Sequence, residues 1–424
     1  MKRVLSIDGG GIRGLIPAVV CQKFEELSGQ SIHELFDLIG GSSTGGILAL
    51  GLSRPIDGMP AQDLVKFYMQ HGGAIFSAPR DWLTQWFRPK FESSNLQNIA
   101  ARTFGESKLS EAIVEVLVIA YDIQLRRPIY LRRQSARGDS SKDYMMRDIV
   151  VGTSAAPTIF PPARLGKHFV IDGGIVANNP ACAAYAHAKN LWPDEDIILV
   201  SLGTGNLALP LSPQKAQGWG RIGWIRPLID SLFDGTSHTA HDFFRLTQTR
   251  NYSRFQGGLN ELTESLDSVT DDSLKGLEKI GTDIADLHEG EILTLIERLK
   301  RAGKALAAKI TKPAESAFVA LGDCLVEGTI DNCDGEALYV FTGKLGRYWP
   351  SAQIKPEKNR WTAKINVGHH ASDADITLAK VDQQLANYIE FYRTHANTLH
   401  YPGLPLEEFS KPFDRVHVYL DHRH

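Results

Sequence analysis

A strand-like run that ends in a serine between glycines is the most informative stretch of the chain. Residues 36–39 have the apolar character of a buried strand, and Gly41-Ser42-Ser43-Thr44-Gly45 follows directly. The segment fits G-x-S-x-G, the nucleophile elbow, in which a strand turns sharply into a helix. Glycine two residues on either side of the serine avoids a collision in this strained turn. The pattern also fits a solvated turn, so its context must distinguish a catalytic serine from a structural one.

A second glycine-rich loop lies near the start of the chain. Residues 4–7 predict a short buried strand, Asp8-Gly9-Gly10-Gly11-Ile12-Arg13-Gly14 follows, and residues 15–27 have a helical pattern. The glycines fit the dinucleotide fingerprint G-x-G-x-x-G, but a Rossmann fold needs an acidic residue after the second strand, where this chain has the elbow. We interpret the loop as a source of backbone N–H donors for a developing oxyanion, each typically worth ~10²–10³ in rate.

Strand and helix patterns alternate through the first half of the chain. Further strands are predicted at residues 112–121, 128–131, 169–171 and 197–202. Such alternation predicts an α/β fold with a mainly parallel central sheet and helices on both faces. Residues 222–309 then keep helical spacing. Beyond Thr311-Lys312-Pro313 the pattern changes to short strand-like runs, which predict a small β-rich module.

These patterns divide the 424 residues into two predicted domains. The first is 1–312, made of a motif-bearing core (1–205) and a helical completion (206–312). The second is 313–424, a C-terminal β-rich module of unknown role. His369-His370 in this module is interpreted as a solvated loop pair rather than a metal site.

Bulk properties restrict partners and location. The formal charge of −3 gives no reason to expect a nucleic acid polymer as partner. Four cysteines without a C-x-x-C pair do not predict a zinc site or a disulfide framework. No export signal or membrane-spanning run is visible in the sequence. We therefore expect a cytoplasmic protein that is peripheral at the inner membrane when active.

Asp172 is the best candidate for the base that a serine nucleophile needs. It ends the strand predicted at 169–171 and precedes Gly173 and Gly174, so it can reach the edge of the sheet where the elbow lies. None of the 14 histidines has a convincing context for a base. An aspartate beside the serine can take its proton if burial raises its basicity. Taken alone, Asp172 fits an ordinary turn aspartate better than a base.

Six motifs together resemble the patatin-like phospholipase family. They are the Asp8–Gly14 loop, the elbow around Ser43, Thr153-Ser154-Ala155-Ala156-Pro157, Asp172-Gly173-Gly174, Asn178-Asn179-Pro180 and Ser201-Leu202-Gly203-Thr204-Gly205. The resemblance covers residues 1–205 and implies a three-layer sandwich. It implies a Ser43–Asp172 dyad and an oxyanion hole from Gly9, Gly10 and Gly11. The supporting positions are Arg13, Gly14, Gly41, Thr44, Gly45, Gly173 and Gly174. Arg13 would hold the loop or meet a lipid phosphate.

The resemblance also implies an activity. Ser43 would attack a fatty-acyl ester of a membrane phospholipid and form a covalent acyl-enzyme, as in a phospholipase A or lysophospholipase. No metal or other cofactor would be required. The alternatives are a serine acyltransferase between carrier thioesters and a catalytically silent lipid-binding protein.

The sequence gives weaker indications of the partners of the protein and of its mobile segments. The opening of the chain resembles bacterial patatin phospholipases, some of which are antiphage effectors switched on by cyclic oligonucleotides. A cyclic-nucleotide activator, peripheral contact with phospholipids and a homo-oligomer are the partners considered. The aromatic-rich stretch 71–94 is either a packed excursion or a lid, and the arginines at 126–137 are a solvated edge or a contact for anionic head groups.

Overall fold

The computed structural model of the protein describes most of the chain. The described residues are 1–77, 79–81, 88–206, 212–247, 250–303, 307–320, 323–331, 337–344, 347–354, 356–357, 359–367, 373–381, 385–389 and 412–421. The chain divides into two units, Met1–Gly303 and Lys304–His424, and each is described by itself.

The first unit is built on one sheet. Its strands are β1 (Lys2–Ile7), β2 (Leu38–Ser42), β3 (Glu115–Asp122), β4 (Arg127–Arg132), β5 (Ala163–Leu165), β6 (His168–Asp172), β7 (Ile197–Leu202) and β8 (Tyr252–Phe255). The order is β5-β6-β3-β2-β1-β7-β8, with β4 also paired to β3. The neighbours from β3 to β8 are parallel, while β4, β5 and β6 add antiparallel pairs. The predicted mainly parallel sheet is therefore confirmed.

Helices connect and cover these strands. They are α1 (Leu15–Ser28), α2 (Ile32–Leu35), α3 (Thr44–Leu52), α4 (Ala61–Ile75), α5 (Ser94–Phe104), α6 (Arg133–Gly138), α7 (Met146–Thr153), α8 (Gly174–Ala177), α9 (Ala181–Leu191), α10 (Pro213–Ala216), α11 (Arg221–Thr247), α12 (Asp271–Leu287) and α13 (Glu289–Ala302). Among the described residues, we find no helix with the length and apolarity needed to cross a bilayer.

The two faces of the sheet bury different helices. Successive strand residues point to opposite faces, so Leu5 and Ile39 join the core formed with α1, α3 and α4. Their neighbours Val4 and Leu38 join a second core with α9 and Phe244 of α11. Apolar residues on both faces of the central strands thus give the three layers that the α/β prediction expects.

The register of the strands brings the predicted site together. Ile7, at the end of β1, is paired with Gly41 of β2, so the glycine loop lies beside the elbow. Asp172 ends β6 and is paired with Ala120 of β3, a direct neighbour of β2. The ends of three separate strands therefore meet at one edge of the sheet, where ligands of open α/β folds bind.

The helical prediction for 206–312 is wrong at Tyr252–Phe255. This segment forms β8, which pairs in parallel with β7 at the edge of the sheet. Four residues are too few for a period of two to stand out from the helical patterns that surround them. The error matters because β8 carries Arg254, which supports the glycine loop.

The second unit is a β-sandwich. Its strands are β9 (Ala307–Lys312), β10 (Ala317–Ala320), β11 (Asp323–Asp331), β12 (Ala337–Lys344), β13 (Arg347–Gln353), β14 (Arg360–Asn366), β15 (Asp373–Val381) and β16 (Pro412–Asp421). They form one sheet in the order β10-β16-β15-β12-β13 and another in the order β14-β11-β9. Residues from both sheets, including Trp361 and Val340, share one apolar core.

The structural division at Gly303 lies before the predicted boundary at Lys312. The predicted linker includes Thr311 and Lys312, but these residues end β9, which pairs with β11 of the second unit. A polar surface strand and a linker have similar composition, which is why the sequence gives the later position. His369 and His370 lie outside the described residues.

Candidate active site

Ser43 occupies a strained turn between β2 and α3. Its φ of 53° and ψ of −124° lie where residues other than glycine are rarely found. A Cβ at Gly41 would lie 2.1 Å from the carbonyl oxygen of Gly45, and a Cβ at Gly45 would lie 2.1 Å from that of Ile7. Both glycines are therefore required, for the steric reason that the elbow motif predicts.

Ser43 and Asp172 are in direct contact. The Ser43 hydroxyl donates to Oδ2 of Asp172 at 2.6 Å, and Oδ1 accepts from the Gly174 N–H at 2.7 Å. Asp172 is 1% exposed and Ser43 is 5% exposed. Burial raises the pKa of Asp172 to about 7, against the opposing effect of these two hydrogen bonds. A carboxylate of this basicity is matched to accepting a proton near neutral pH.

Thr153 fixes the backbone of the elbow. The Ser43 N–H donates to Oγ1 of Thr153 at 2.9 Å, and that hydroxyl donates to the carbonyl oxygen of Ile119 at 2.6 Å. The nucleophile is thereby tied to the end of α7 and to β3. The sequence includes Thr153 in a family motif but gives no sign of this role, because the contact spans distant parts of the chain.

The glycine loop lies against the nucleophile. A Cβ at Gly9 would be 3.1 Å from the Cβ of Ser43. The Gly9 N–H donates to the carbonyl oxygen of Asn178 at 2.9 Å, and Thr204 donates to the Gly9 carbonyl at 2.6 Å. Within the described part of the chain, the N–H groups of Gly10 and Gly11 have no acceptor. Of the three predicted oxyanion donors, Gly9 is therefore engaged, and Gly10 and Gly11 are available.

The supporting positions pack around this loop. Arg13 is buried, and its Nε donates to the carbonyl oxygen of Gly10 at 3.3 Å, while burial lowers the pKa of its guanidinium. Of its two expected roles, this contact matches the holding of the loop. A Cβ at Gly14 would be 2.2 Å from Oγ1 of Thr44, whose hydroxyl is hydrogen-bonded to that of Tyr68. A Cβ at Gly173 would be 2.2 Å from the carbonyl oxygen of Ile119.

Comparison with known proteins agrees with this arrangement. Residues 5–185 match the family model described as patatin-like phospholipase. Patatin-like protein 2 of Arabidopsis thaliana is 30% identical over 333 residues, which cover 66% of this chain and 82% of that protein. The chain belongs to the patatin-like phospholipase family. Membership supports a lipid acyl hydrolase activity in general.

Further comparisons of this patatin-like chain cover a second plant relative and one solved structure. Patatin-11 of Solanum tuberosum is 28% identical over 352 residues, covering 72% of this chain and 90% of that protein. Among solved structures, an endo-beta-1,4-mannanase from Thermotoga petrophila is 10% identical and covers 60% of this chain and 45% of its own, with a TM-score of 0.18. A score this low carries no argument about the fold.

A buried ion pair holds the start of the glycine loop of this patatin-like domain. Nη2 of Arg254 lies 2.6 Å from Oδ2 of Asp8, and Nη1 donates to the Ser201 hydroxyl at 2.7 Å. The two charged side chains are 7% and 2% exposed. The sequence did not reveal this pair, because Arg254 lies in the segment that was predicted to be helical. Asp8 is thus a structural anchor immediately before the proposed oxyanion donors.

An apolar cleft opens in front of the Ser43 hydroxyl. It holds about 550 Å³ of empty space, part of it open to solvent. Its lining is Gly11, Ile12, Ser43, Thr44, Ile47, Tyr68, Ile75, Phe76, Leu96, Ser154, Ala156, Ile159, Phe160, Asp172, Phe233 and Leu266. The lining is mainly apolar, and its few polar groups converge on Ser43. None of these described lining residues is a histidine.

Part of the aromatic-rich stretch 71–94 contributes to this cleft. Phe76 lines it, and Phe91 packs against Phe76 and Phe160 with ring centroids 5.7 and 5.9 Å apart. Phe91 is therefore part of a packed aromatic wall. Trp82, Trp86 and Phe87 lie outside the described residues, so a lid in this stretch stays a prediction. The arginines predicted as an edge cluster lie on or beside β4 and α6, away from the lining of the cleft.

Proposed function

We propose that this protein hydrolyses fatty-acyl esters of phospholipids through a Ser43–Asp172 dyad. The observation that carries the proposal is the 2.6 Å hydrogen bond between the two side chains at the polar end of an otherwise apolar cleft. A free serine hydroxyl is a weak nucleophile, and a base in hydrogen-bond contact activates it. Family membership supports the choice of a lipid ester as substrate.

In the first half of the reaction, Ser43 is acylated. Its Oγ attacks the ester carbonyl carbon while its proton passes to Oδ2 of Asp172. The resulting tetrahedral oxyanion is stabilised by the N–H groups of Gly10 and Gly11, which have no other acceptor in the described part of the chain. Asp172 then gives its proton to the departing alkoxide, so that a lysolipid leaves and the acyl group stays on Ser43.

In the second half, water replaces the lipid alcohol. Asp172 takes a proton from a water molecule that attacks the acyl carbonyl, and the same donors stabilise the second oxyanion. When this intermediate collapses, the proton on Asp172 returns to Ser43 and the fatty acid is released. Each step needs Asp172 both as base and as acid, a role suited to a pKa of about 7.

The cleft accounts for a preference for apolar acyl groups. Ile47, Leu96 and Phe160 offer apolar contact along its walls, and each buried CH₂ of an acyl chain gains about 0.8 kcal/mol. A phospholipase A or lysophospholipase reaction fits such a site. Arg13, which is buried and holds Gly10, is assigned to the loop rather than to the lipid phosphate.

The decisive experiment compares fatty-acid release from mixed phospholipid vesicles by wild type, Ser43→Ala and the matched control Ser42→Ala. The Ser42 hydroxyl is buried beside Ser43 without a partner among the described residues. We expect release, and labelling by a fluorophosphonate, to be lost in Ser43→Ala and kept in Ser42→Ala. Release that survives Ser43→Ala would refute the proposal. Transfer of the acyl label to a thiol acceptor would favour the acyltransferase alternative.

We extend the proposal to regulation of this activity. The support is the likeness of the opening residues 8–17 to those of bacterial patatin phospholipases, some of which are antiphage effectors, together with an additional β-sandwich unit. A cyclic oligonucleotide would then bind the protein and raise its rate of hydrolysis. Titration of candidate cyclic oligonucleotides, read by calorimetry and by fatty-acid release, tests this extension. If none binds and the rate stays constant, the extension fails while the hydrolase proposal stands.

A further inference from the structure

Helix α11 exposes an apolar stripe on one side, with four members near its start and two near its end. The members of this stripe are Trp224, Ile225, Leu228, Leu232, Phe243 and Leu246. Their exposed fractions range from 40% for Leu232 to 71% for Leu246. Their spacing puts them on one side of the helix. Large apolar side chains that are exposed together, rather than singly, mark an interaction surface.

The opposite side of α11 belongs to the catalytic centre. Phe233 lines the cleft in front of Ser43, and Ala240 and Phe244 are buried. Thr236 and Ser237 accept hydrogen bonds from the N–H and side-chain amide of Asn178, at 3.1 Å each. The stripe therefore lies one helix diameter away from the cleft wall, and the helix connects the two rigidly.

The charged residues at and just before the start of α11 are all basic. Between residues 212 and 229, the sequence contains Lys215, Arg221 and Arg226 and no aspartate or glutamate. Trp219 and Trp224 lie in the same segment, and their rings are in edge-to-face contact with centroids 5.2 Å apart. Basic residues with tryptophan and leucine on an amphipathic helix are typical of helices that lie in the interface of an anionic bilayer.

The helix also contains Asp230, Asp234 and Asp242, and the charge of Asp230 acts on the buried Arg13. Asp242 pairs with Arg245 at 3.3 Å. Asp234 is half-buried, and the positive charge of Arg13 acts on it. The net sequence charge of residues 212–229 is positive, which favours anionic head groups over a second copy of the same basic segment.

We propose that the stripe on α11 docks this protein on the surface of an anionic lipid bilayer. The inference rests on the proposed function and deepens it, because it names the surface that delivers the substrate. Docking through α11 would hold the cleft wall that carries Phe233 one helix diameter from the membrane surface, which shortens the path of an acyl chain into the cleft. The helix is not required to span the membrane; it lies on it with Trp224 and the leucines among the head groups and upper acyl chains.

Vesicle flotation in a Ser43→Ala background tests the proposal, since binding is then measured without hydrolysis. The vesicles are phosphatidylcholine alone or phosphatidylcholine mixed with phosphatidylglycerol. We expect the parent protein to float with the anionic vesicles. The double variant Leu228→Glu/Leu232→Glu should partition onto these vesicles at least about tenfold more weakly than the parent, because two apolar anchors are lost and two negative charges are added. The matched control is Leu287→Glu, at an 82% exposed leucine on α12, which should bind like the parent.

The outcomes of this experiment distinguish failure of the docking surface from failure of the proposed hydrolase function. Equal flotation of parent and double variant, or no flotation of the parent, would overturn the docking surface, provided that the variants melt cooperatively. If light scattering shows a dimer that only the double variant breaks, while vesicle binding is unchanged, the stripe is covered by a second copy and the inference is wrong. Failure of the proposed function is seen separately, as no Ser43-dependent hydrolysis of a water-soluble short-chain ester.

Discussion

In the proposed mechanism Asp172 transfers protons while it is almost fully buried, and this burial has a cost in stability. A carboxyl group with an ordinary pKa of 3.8 reaches about 7 because burial disfavours its charged form. As the pH rises from about 4 to about 7, the unfolded chain loses a proton that the folded chain keeps, so Asp172 makes folding progressively less favourable. The catalytic requirement for a basic group and the requirement for stability are therefore opposed at this residue.

Substitution of Asp172 by asparagine should separate these two requirements. The amide can still accept from Gly174 N–H but cannot take a proton, so we expect kcat to fall by roughly 10²–10⁴. Without a buried charge, the variant should be more stable than wild type at about pH 8, by on the order of 4 kcal/mol in the free energy of unfolding, with a correspondingly higher Tm, and the gap should close towards about pH 4. Ester hydrolysis and thermal unfolding across this pH range measure both effects. Near-wild-type activity of the variant would rule out Asp172 as the base.

The same ionisation sets the pH dependence of the wild-type enzyme. Ser43 is activated only when Asp172 is deprotonated, so kcat/KM should rise with pH through a single step near pH 7 and then level off. Hydrolysis of a soluble ester between about pH 5 and about pH 9 provides the profile. A kcat/KM that is already constant at about pH 5 would mean that the pKa of Asp172 is not raised in the working enzyme.

Gly45 is required by the close approach of two backbones. Its added Cβ would lie 2.1 Å from the carbonyl oxygen of Ile7, so Gly45→Ala must push apart the glycine loop and the elbow. We expect a loss of more than about 2 kcal/mol in the free energy of unfolding, and hydrolysis reduced at least about tenfold. Gly73→Ala is the matched control, because its Cβ meets open space within a helix, where alanine is favoured by roughly 0.5–1 kcal/mol. Urea unfolding and kcat/KM compare the two variants, and equal effects would contradict the steric argument.

At the scale of the element, the edge strand β8 supports the loop between β1 and α1. Arg254→Met should remove the ion-pair partner of the buried Asp8, at a cost of about 3–5 kcal/mol, and should displace the loop that carries Gly10 and Gly11. The control is Arg245→Met, which removes an exposed ion pair worth about 0.5 kcal/mol or less. Thermal unfolding and kcat/KM of the two variants measure the difference. If Arg254→Met keeps full activity, the pair does not position the loop.

Elements whose signal is local could be predicted from the sequence, and those built by distant contacts could not. The elbow and the glycine loop are visible because their strain requires glycine, so Ser43 and its neighbours follow from the sequence alone. Arg254 and Thr153 owe their roles to partners far along the chain, and no local pattern records them. The helical pattern predicted for residues 222–309 includes α11, but such a pattern does not say which apolar side of a helix is covered, so the exposed stripe required the structure.

At the scale of the whole molecule, the proposed catalytic residues all lie within the first unit. Ser43, Asp172, the glycine loop and all of the cleft-lining residues precede Gly303, and the helices α12 and α13 join the same core as α1. The second unit has its own apolar core, centred on residues such as Trp361 and Ile365. Each unit thus has the separate core that independent folding requires.

A chain that ends at Gly303 should therefore fold and hydrolyse a water-soluble short-chain ester with kcat/KM within about threefold of the full-length protein. A soluble ester is the right probe, because it reports the dyad and the oxyanion donors without a membrane step. Circular dichroism establishes that the shortened chain is folded, and the same chain with Ser43→Ala gives the background rate. A folded but inactive chain would mean that the second unit supports catalysis, and a rate well above that of the full-length protein would mean that it restrains the enzyme. A rate near that of the full-length protein would leave the β-sandwich to act on something other than the chemical step, such as the choice of membrane or the response to an activator.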